Sequence, residues 1–302
     1  MNYTKIALNL WHKLWENYSA RVNYAQVYQQ MITEAGGTVA NDHIAFRSLR
    51  LNINDIDLGI PYLEGIVKDL GYSAAGEYIF PDKHLYARHY RHPKQDAFDL
   101  PKLFISELIV DELPDATAQQ IYQTVKSINS ISYPNLSDLE IADIEQTVDR
   151  LQNLFDRPWQ PPRRSVVEEV NKATQYGAWV LLHGYGVNHF TGYINRQNTP
   201  LYPDIESTAS GLSERGVPMK AEIEGSMDIG LRQTATQAIT EMVTVRDDFT
   251  EKLISIPWTY AYYEIAERFF VEIAPGEKAL FDAFQGNNAT HLFEMTRNVI
   301  DR

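Results

Sequence analysis

Near the N-terminus apolar residues recur at helical intervals. Ile6, Leu10, Leu14, Val22, Tyr24 and Val27, with Met31 a turn beyond, predict one or two amphipathic helices over 3–35. Gly36-Gly37 stops them. The period then changes to two: residues 42–51 read as a strand with His43, Ala45, Arg47 and Leu49 on one face and Ile44 and Phe46 on the other. A helix over 56–70 turns Leu58, Tyr62, Leu63, Ile66 and Leu70 inward, and strand-like runs follow at 72–80, 84–92 and 103–110.

From 116 to about 162 the pattern is helical and polar, ending at the prolyl stretch Arg157-Pro158-Trp159-Gln160-Pro161-Pro162. The second half starts again with a helix near 165–175 and an apolar run over 178–194, interrupted by Gly184 and Gly186. His183 and His189 share parity there, so a continuous strand shows both on one face unless the glycines insert a bulge or turn. A helix over 204–214 leads to strand-forming residues over 221–245. The last clear strand, 258–271, puts Tyr260, Tyr262, Glu264, Ala266 and Arg268 on one face, and the final thirty or so residues read as a helical tail.

Each half thus carries a helix, a histidine-bearing strand, a helix and further strands, although the two are not repeats in sequence. This order predicts an α+β fold in which a duplicated half-barrel sheet curls around a pocket. The expected organisation is one catalytic domain in two halves, about 1–115 and 165–302, joined by a helical connector over about 116–164.

Composition narrows what such a pocket does. The 302 residues, 44% of them hydrophobic, suffice for one large core or two modest ones. A net charge of -13 argues against nucleic acid and against an anionic membrane surface as partners, because like charges repel. A small anion stays compatible where local arginines overcome the global field. With no cysteine there is no disulfide, thiolate zinc site, iron–sulfur cluster or cysteine nucleophile, so any metal is held by nitrogen and oxygen. The N-terminal pattern lacks the uninterrupted apolar core of a signal peptide and no segment approaches a membrane span, so a cytosolic location is expected. No glycine-rich phosphate loop, His-Glu-x-x-His pair or Gly-x-Ser-x-Gly elbow is present.

His43 and Arg47 point the same way in a strand, one suited to a metal and the other to an anion. Two later stretches stand beside them: Val187-Asn188-His189-Phe190-Thr191 and Tyr262-Tyr263-Glu264-Ile265-Ala266-Glu267-Arg268. Two histidines and a carboxylate form the ligand set of non-haem iron(II) oxygenases, which leaves coordination positions open. Blander readings compete. A lone histidine in a strand is more often a core or surface residue than a ligand. Glu264, in so apolar a strand, needs a metal, an arginine or a hydrogen-bond network, and Arg268 offers a plain ion pair. His84, His89 and His92 mimic a metal tract, but His89 faces away from the other two in a strand, so they read as mostly surface residues. His291 and Glu294 sit at a metal-binding helical spacing on a solvated tail, and Glu107 and Glu224 are reserve carboxylates.

Together the stretches resemble the 2-oxoadipate dioxygenase/decarboxylase family, iron(II) enzymes of vicinal-oxygen-chelate-like fold that convert 2-oxoadipate to 2-hydroxyglutarate and carbon dioxide. The family's His-x-Ala-x-Arg stretch falls on His43 and Arg47, its Asn-His-Leu/Phe-Thr stretch on His189, and its Glu-Ile-x-x-Arg stretch on Glu264 and Arg268. Leu231-Arg232-Gln233-Thr234 resembles a further family stretch, and the likeness covers most of the chain. It implies His43, His189 and Glu264 as ligands of Fe(2+) and Arg47 as the catalytic clamp on a substrate carboxylate. Arg232 is implied among the substrate-binding residues, with His43 and His189 touching substrate as well as metal. The implied partners are a small 2-oxo dicarboxylic acid and dioxygen, with a place in lysine catabolism. Longer bacterial members continue well past the Glu264 strand, so part of their pocket or lid is expected to be missing or replaced. Two alternatives stay open. One is a lyase or isomerase of the same fold, in which a metal polarises a carbonyl; the other is a non-catalytic binding protein in which Glu264 pairs with Arg268.

Overall fold

The computed structural model describes residues 3–128 and 144–285, so the expected features at Leu139, Ile141, His291 and Glu294 lie outside the described residues. Eight strands form the main sheet: β1 (Asn41–Arg50), β2 (Ser73–Phe80), β3 (Leu85–Arg91), β4 (Lys102–Ile109), β5 (Val187–Tyr193), β6 (Glu224–Ser226), β7 (Leu231–Ala235) and β8 (Glu264–Arg268). Their order across the sheet is β2-β3-β4-β1-β5-β8-β7-β6.

The first four strands and the last four repeat one topology. In each set the first strand pairs in parallel with the last, β1 with β4 and β5 with β8, and the other two follow outward as antiparallel neighbours. A parallel pair needs a long crossover. Each set supplies one that includes a helix, Ile60–Asp69 after β1 and Ile205–Glu214 after β5. The two sets meet where β1 pairs antiparallel with β5.

β1 is buried on both faces apart from its ends. Phe46 turns to a helical layer, its ring 6.4 Å from Trp11 and 5.1 Å from Phe155. Helix Tyr3–Arg21 buries Ile6, Leu10, Trp11 and Leu14 in that layer, so this N-terminal segment belongs to the core. His43, Ala45 and Arg47 line a pocket on the other face. Among the described residues no helix is long and apolar enough to cross a membrane.

Several local expectations are corrected. The apolar run over 178–194 is a helix, Gln175–His183, followed by β5. Residues 175–182 of that helix are all buried, which removes the amphipathic period that would have marked it as helical. Gly184 turns the chain with φ +61, and a Cβ there would lie 2.3 Å from the Arg157 Cα. The run over 258–271 is three pieces, Leu253–Thr259, β8 and Phe270–Ala274. Residues 260–263 between the first two are buried and outside any strand, held by contacts such as Tyr260 Oη donating to the Val187 carbonyl at 2.9 Å. Part of the expected helical tail is instead a hairpin of Phe270–Ala274 with Glu277–Leu280.

Candidate metal centre

β1, β5 and β8 lie side by side, and their register fixes which side chains meet. Thr191 pairs with His43 on one side and with Glu264 on the other, while His189 pairs with Ala45. Cross-strand partners share a sheet face, so His43, His189 and Glu264 project together from three adjacent strands. Their ligating atoms all fall within 4.8 Å of one another, and all three residues are buried. His43 Nε2 is 3.4 Å from His189 Nε2 and 3.6 Å from Glu264 Oε1. Glu264 Oε2 is 3.7 Å from His189 Nε2. The Thr191 hydroxyl sits beside them, 3.1 Å from His43 Nε2.

Neighbouring residues set the tautomers. His43 Nδ1 donates to Asp42 Oδ1 at 2.9 Å, and His189 Nδ1 donates to Asn188 Oδ1 at 3.1 Å. With both protons so placed, both Nε2 lone pairs face the same space. Burial lowers the pKa of each ring, most strongly for His189, so both stay neutral and able to donate those lone pairs. Glu264 is pushed up to about 8, first by burial and then by the charges of Asp42 and Glu224. Its Oε2 accepts no hydrogen bond among the described residues. Three buried acceptors converging on one point, with an orphaned carboxylate oxygen among them, form an arrangement that a cation relieves. Two imidazoles and a carboxylate fit a divalent first-row metal, and the donor set suits iron(II).

The pocket extends from this centre past Ala45 to Arg47. The Arg47 guanidinium is buried, 4.8 Å from the Tyr176 ring and 5.1 Å from the Trp179 ring, both on helix Gln175–His183. Phe104 and Ser106 line it from β4 and Gln233 from β7, while Phe284 and Gln285 arrive from beyond the hairpin. Tyr262 stacks on His189 with centroids 4.9 Å apart.

Arg232 does not join them. The neighbouring Gln233 takes the pocket face of β7, and Arg232 pairs with Glu206 instead. His183 ends its helix against Trp179 and Tyr260, away from His189. Glu107 receives Arg50 Nε at 2.6 Å and the Ile60 amide at 2.7 Å, and Glu224 pairs with Lys220. His84 does lie near the surface, beside Glu112, but His89 and His92 are buried. Phe284 packs on His89 with centroids 5.3 Å apart and Tyr72 packs on His92 at 5.2 Å, so covering segments bury residues that parity alone left outside.

The plain ion-pair reading of Glu264 also changes. Arg268 grips Asp42 through Nε at 2.5 Å and Nη2 at 2.8 Å. Burial raises the Asp42 pKa, but Arg268 and Lys102 outweigh it and hold the carboxyl well below its ordinary range. Sequence reasoning missed Asp42 and Asn188 as supports. The available signal was a polar residue directly before each histidine in an otherwise apolar strand. Ser106 and Phe284 carried no such mark, whereas Tyr262, expected on the face of Glu264, does line the same pocket.

The family model for 2-oxoadipate dioxygenase/decarboxylase matches residues 10–298. A chloroplastic 2-oxoadipate dioxygenase/decarboxylase from Arabidopsis thaliana is 30% identical over 274 residues, covering 84% of this chain and 67% of the relative. The crystal structure of the hydroxyglutarate synthase from Oryza sativa in complex with 2-oxoadipate superposes with a TM-score of 0.79 at 24% identity, covering 99% of this chain and 94% of that one. A protein described as glyoxalase superfamily, from Ralstonia eutropha, gives 0.78 at 22% identity, covering 87% and 83%. These two structural likenesses bear on the fold, an α+β half-barrel of the vicinal-oxygen-chelate kind. With the model match spanning nearly the whole sequence, the chain belongs to the 2-oxoadipate dioxygenase/decarboxylase family.

Proposed function

We propose that this chain is a 2-oxoadipate dioxygenase/decarboxylase that uses iron(II) and dioxygen to convert 2-oxoadipate to 2-hydroxyglutarate and carbon dioxide. The observation that carries the reading to this chain's own residues is the buried convergence of His43, His189 and Glu264 within 4.8 Å. In the overall balance, one atom of dioxygen enters the new carboxylate and the other enters the hydroxyl, so the 2-oxo acid supplies the electrons and no second oxo acid is consumed. Iron(II) held by His43, His189 and Glu264 would supply Lewis-acid and redox chemistry to the 2-oxo acid and dioxygen.

The protein's part is to hold and to shield. His43 and His189 present neutral Nε2 atoms, fixed by Asp42 and Asn188 behind them. Glu264 supplies the anionic ligand. Arg47 pairs with a substrate carboxylate, its planar fork suited to two parallel hydrogen bonds. Phe104, Phe284 and Tyr262 exclude water around the reacting carbon, and Ser106 and Gln233 offer polar contacts to substrate oxygens. Arg232 is left outside this scheme by its place on β7.

The repeated strand order supports reading the chain as two halves of one catalytic domain, about 1–115 and 165–302, with the intervening segment as connector. A cytosolic location belongs to the same proposal; the Arabidopsis relative is named chloroplastic, and fractionation of source cells decides between the two. The binding-protein alternative loses its basis, because Arg268 pairs with Asp42 rather than Glu264. Anaerobic iron(II) titration tests the ligand set: His189→Ala and Glu264→Ala are expected to lose iron and turnover together, and either variant retaining both would remove that residue from the set.

A further inference from the structure

Arg268 closes β8, four residues after Glu264, and is buried. Two of its nitrogens hold both oxygens of Asp42, whose Oδ1 also receives His43 Nδ1. Its third nitrogen, Nη1, turns the other way and donates to the backbone carbonyls of Phe281 at 3.0 Å and Ala283 at 2.8 Å. Between those residues Asp282 takes Lys102 at 2.7 Å and Arg91 at 2.5 Å. The next residue, Phe284, sets its ring edge-on to His43 with centroids 4.8 Å apart, and its amide donates to Tyr78 Oη at 3.0 Å. Phe284 and Gln285 line the pocket. One guanidinium therefore touches both the carboxylate behind a metal-facing histidine and the strap that walls the pocket.

We propose that Arg268 is a positioning residue that sets the His43 ring through Asp42 and seats the strap 281–285 across the pocket. The fixed fork of five N–H donors lets one side chain serve two directions. A lysine neutralises Asp42 but cannot reach the strap carbonyls in the same geometry. This coupling places metal grip and pocket shape under the same side chain, and both come from the strand that also carries Glu264.

The inference rests on the metal-centre reading, and cobalt(II) serves as a redox-stable probe followed by its visible absorption in the full-length protein. KM for 2-oxoadipate is measured separately on the iron-loaded enzyme. Arg268→Lys is expected to weaken cobalt(II) about tenfold or more, the usual effect of losing a residue that orients a ligand, and to raise KM as the wall loosens. Asp42→Asn is expected to weaken cobalt(II) likewise, whereas Phe284→Leu raises KM and leaves cobalt(II) affinity within about twofold. A merely structural role would lower the melting temperature of Arg268→Lys while its folded fraction kept wild-type affinity and KM, and that result overturns the proposal. If Arg268→Lys does not fold, wild-type cobalt(II) affinity in Asp42→Asn overturns it instead. Wild-type protein that binds no cobalt(II) sinks the metal-centre reading; binding that is equal in wild type and variants sinks only the role of Arg268.

Discussion

Phe104 occupies in the first half the place that Glu264 occupies in the second. Phe104 on β4 pairs with Ala45, two residues beyond His43, and Glu264 on β8 pairs with Thr191, two residues beyond His189. The duplicated sheet thus brings a histidine from each half but a carboxylate from only one. An apolar ring that lines the pocket stands at the place in the first half where a second carboxylate would complete the symmetry.

Replacing the ring tests this directly. Phe104→Glu is expected to retain bound metal but lose turnover by about tenfold or more, because a fourth ligand occupies a position the reaction needs. Phe104→Leu keeps the pocket apolar and should retain most activity. Steady-state rates on metal-analysed protein distinguish the two, and equal rates in both variants would contradict the role given to Phe104.

Arg47 should affect substrate more than metal. Removing charge-assisted hydrogen bonds of about 1.5–3 kcal/mol predicts a roughly ten- to hundredfold rise in KM for Arg47→Ala. Iron content is expected to match wild type. Unchanged substrate affinity would take Arg47 out of the clamp role.

A pH dependence follows from Glu264, whose pKa rises from its ordinary 4.5 to about 8 in the folded, metal-free protein. Between those values the folded chain holds a proton that the unfolded chain releases. Raising pH through that window therefore destabilises the metal-free fold, by up to several kcal/mol, with no further loss above about 8. Glu264→Gln removes the effect. In chelator-treated protein, the stability of Glu264→Gln relative to wild type is expected to grow between pH 5 and pH 8 in urea unfolding; a constant difference would contradict it.

Strands were legible in the sequence where the two faces differ in kind. β1 alternates His43, Ala45 and Arg47 against Ile44 and Phe46, so the placement of His43 and Arg47 on one pocket-lining face could be read from period two. Helix Gln175–His183 could not be read this way, because burial on every side gives it the same apolar run as a buried strand. The face of Arg232 depended on register with β8, which no local pattern reports. Phe284 reaches His43 only through long-range packing, and the Asp42 partner of Arg268 lies 226 residues away in sequence. The order of elements, by contrast, was sufficient to expect a duplicated half-barrel.

The most direct test of the central claim is dioxygen uptake by anaerobically iron(II)-loaded protein on addition of 2-oxoadipate, with the organic product and carbon dioxide assayed in the same vessel. The expected result is one dioxygen consumed for each 2-hydroxyglutarate and each carbon dioxide formed. Iron-loaded protein that consumes no dioxygen with this substrate would contradict the proposed reaction.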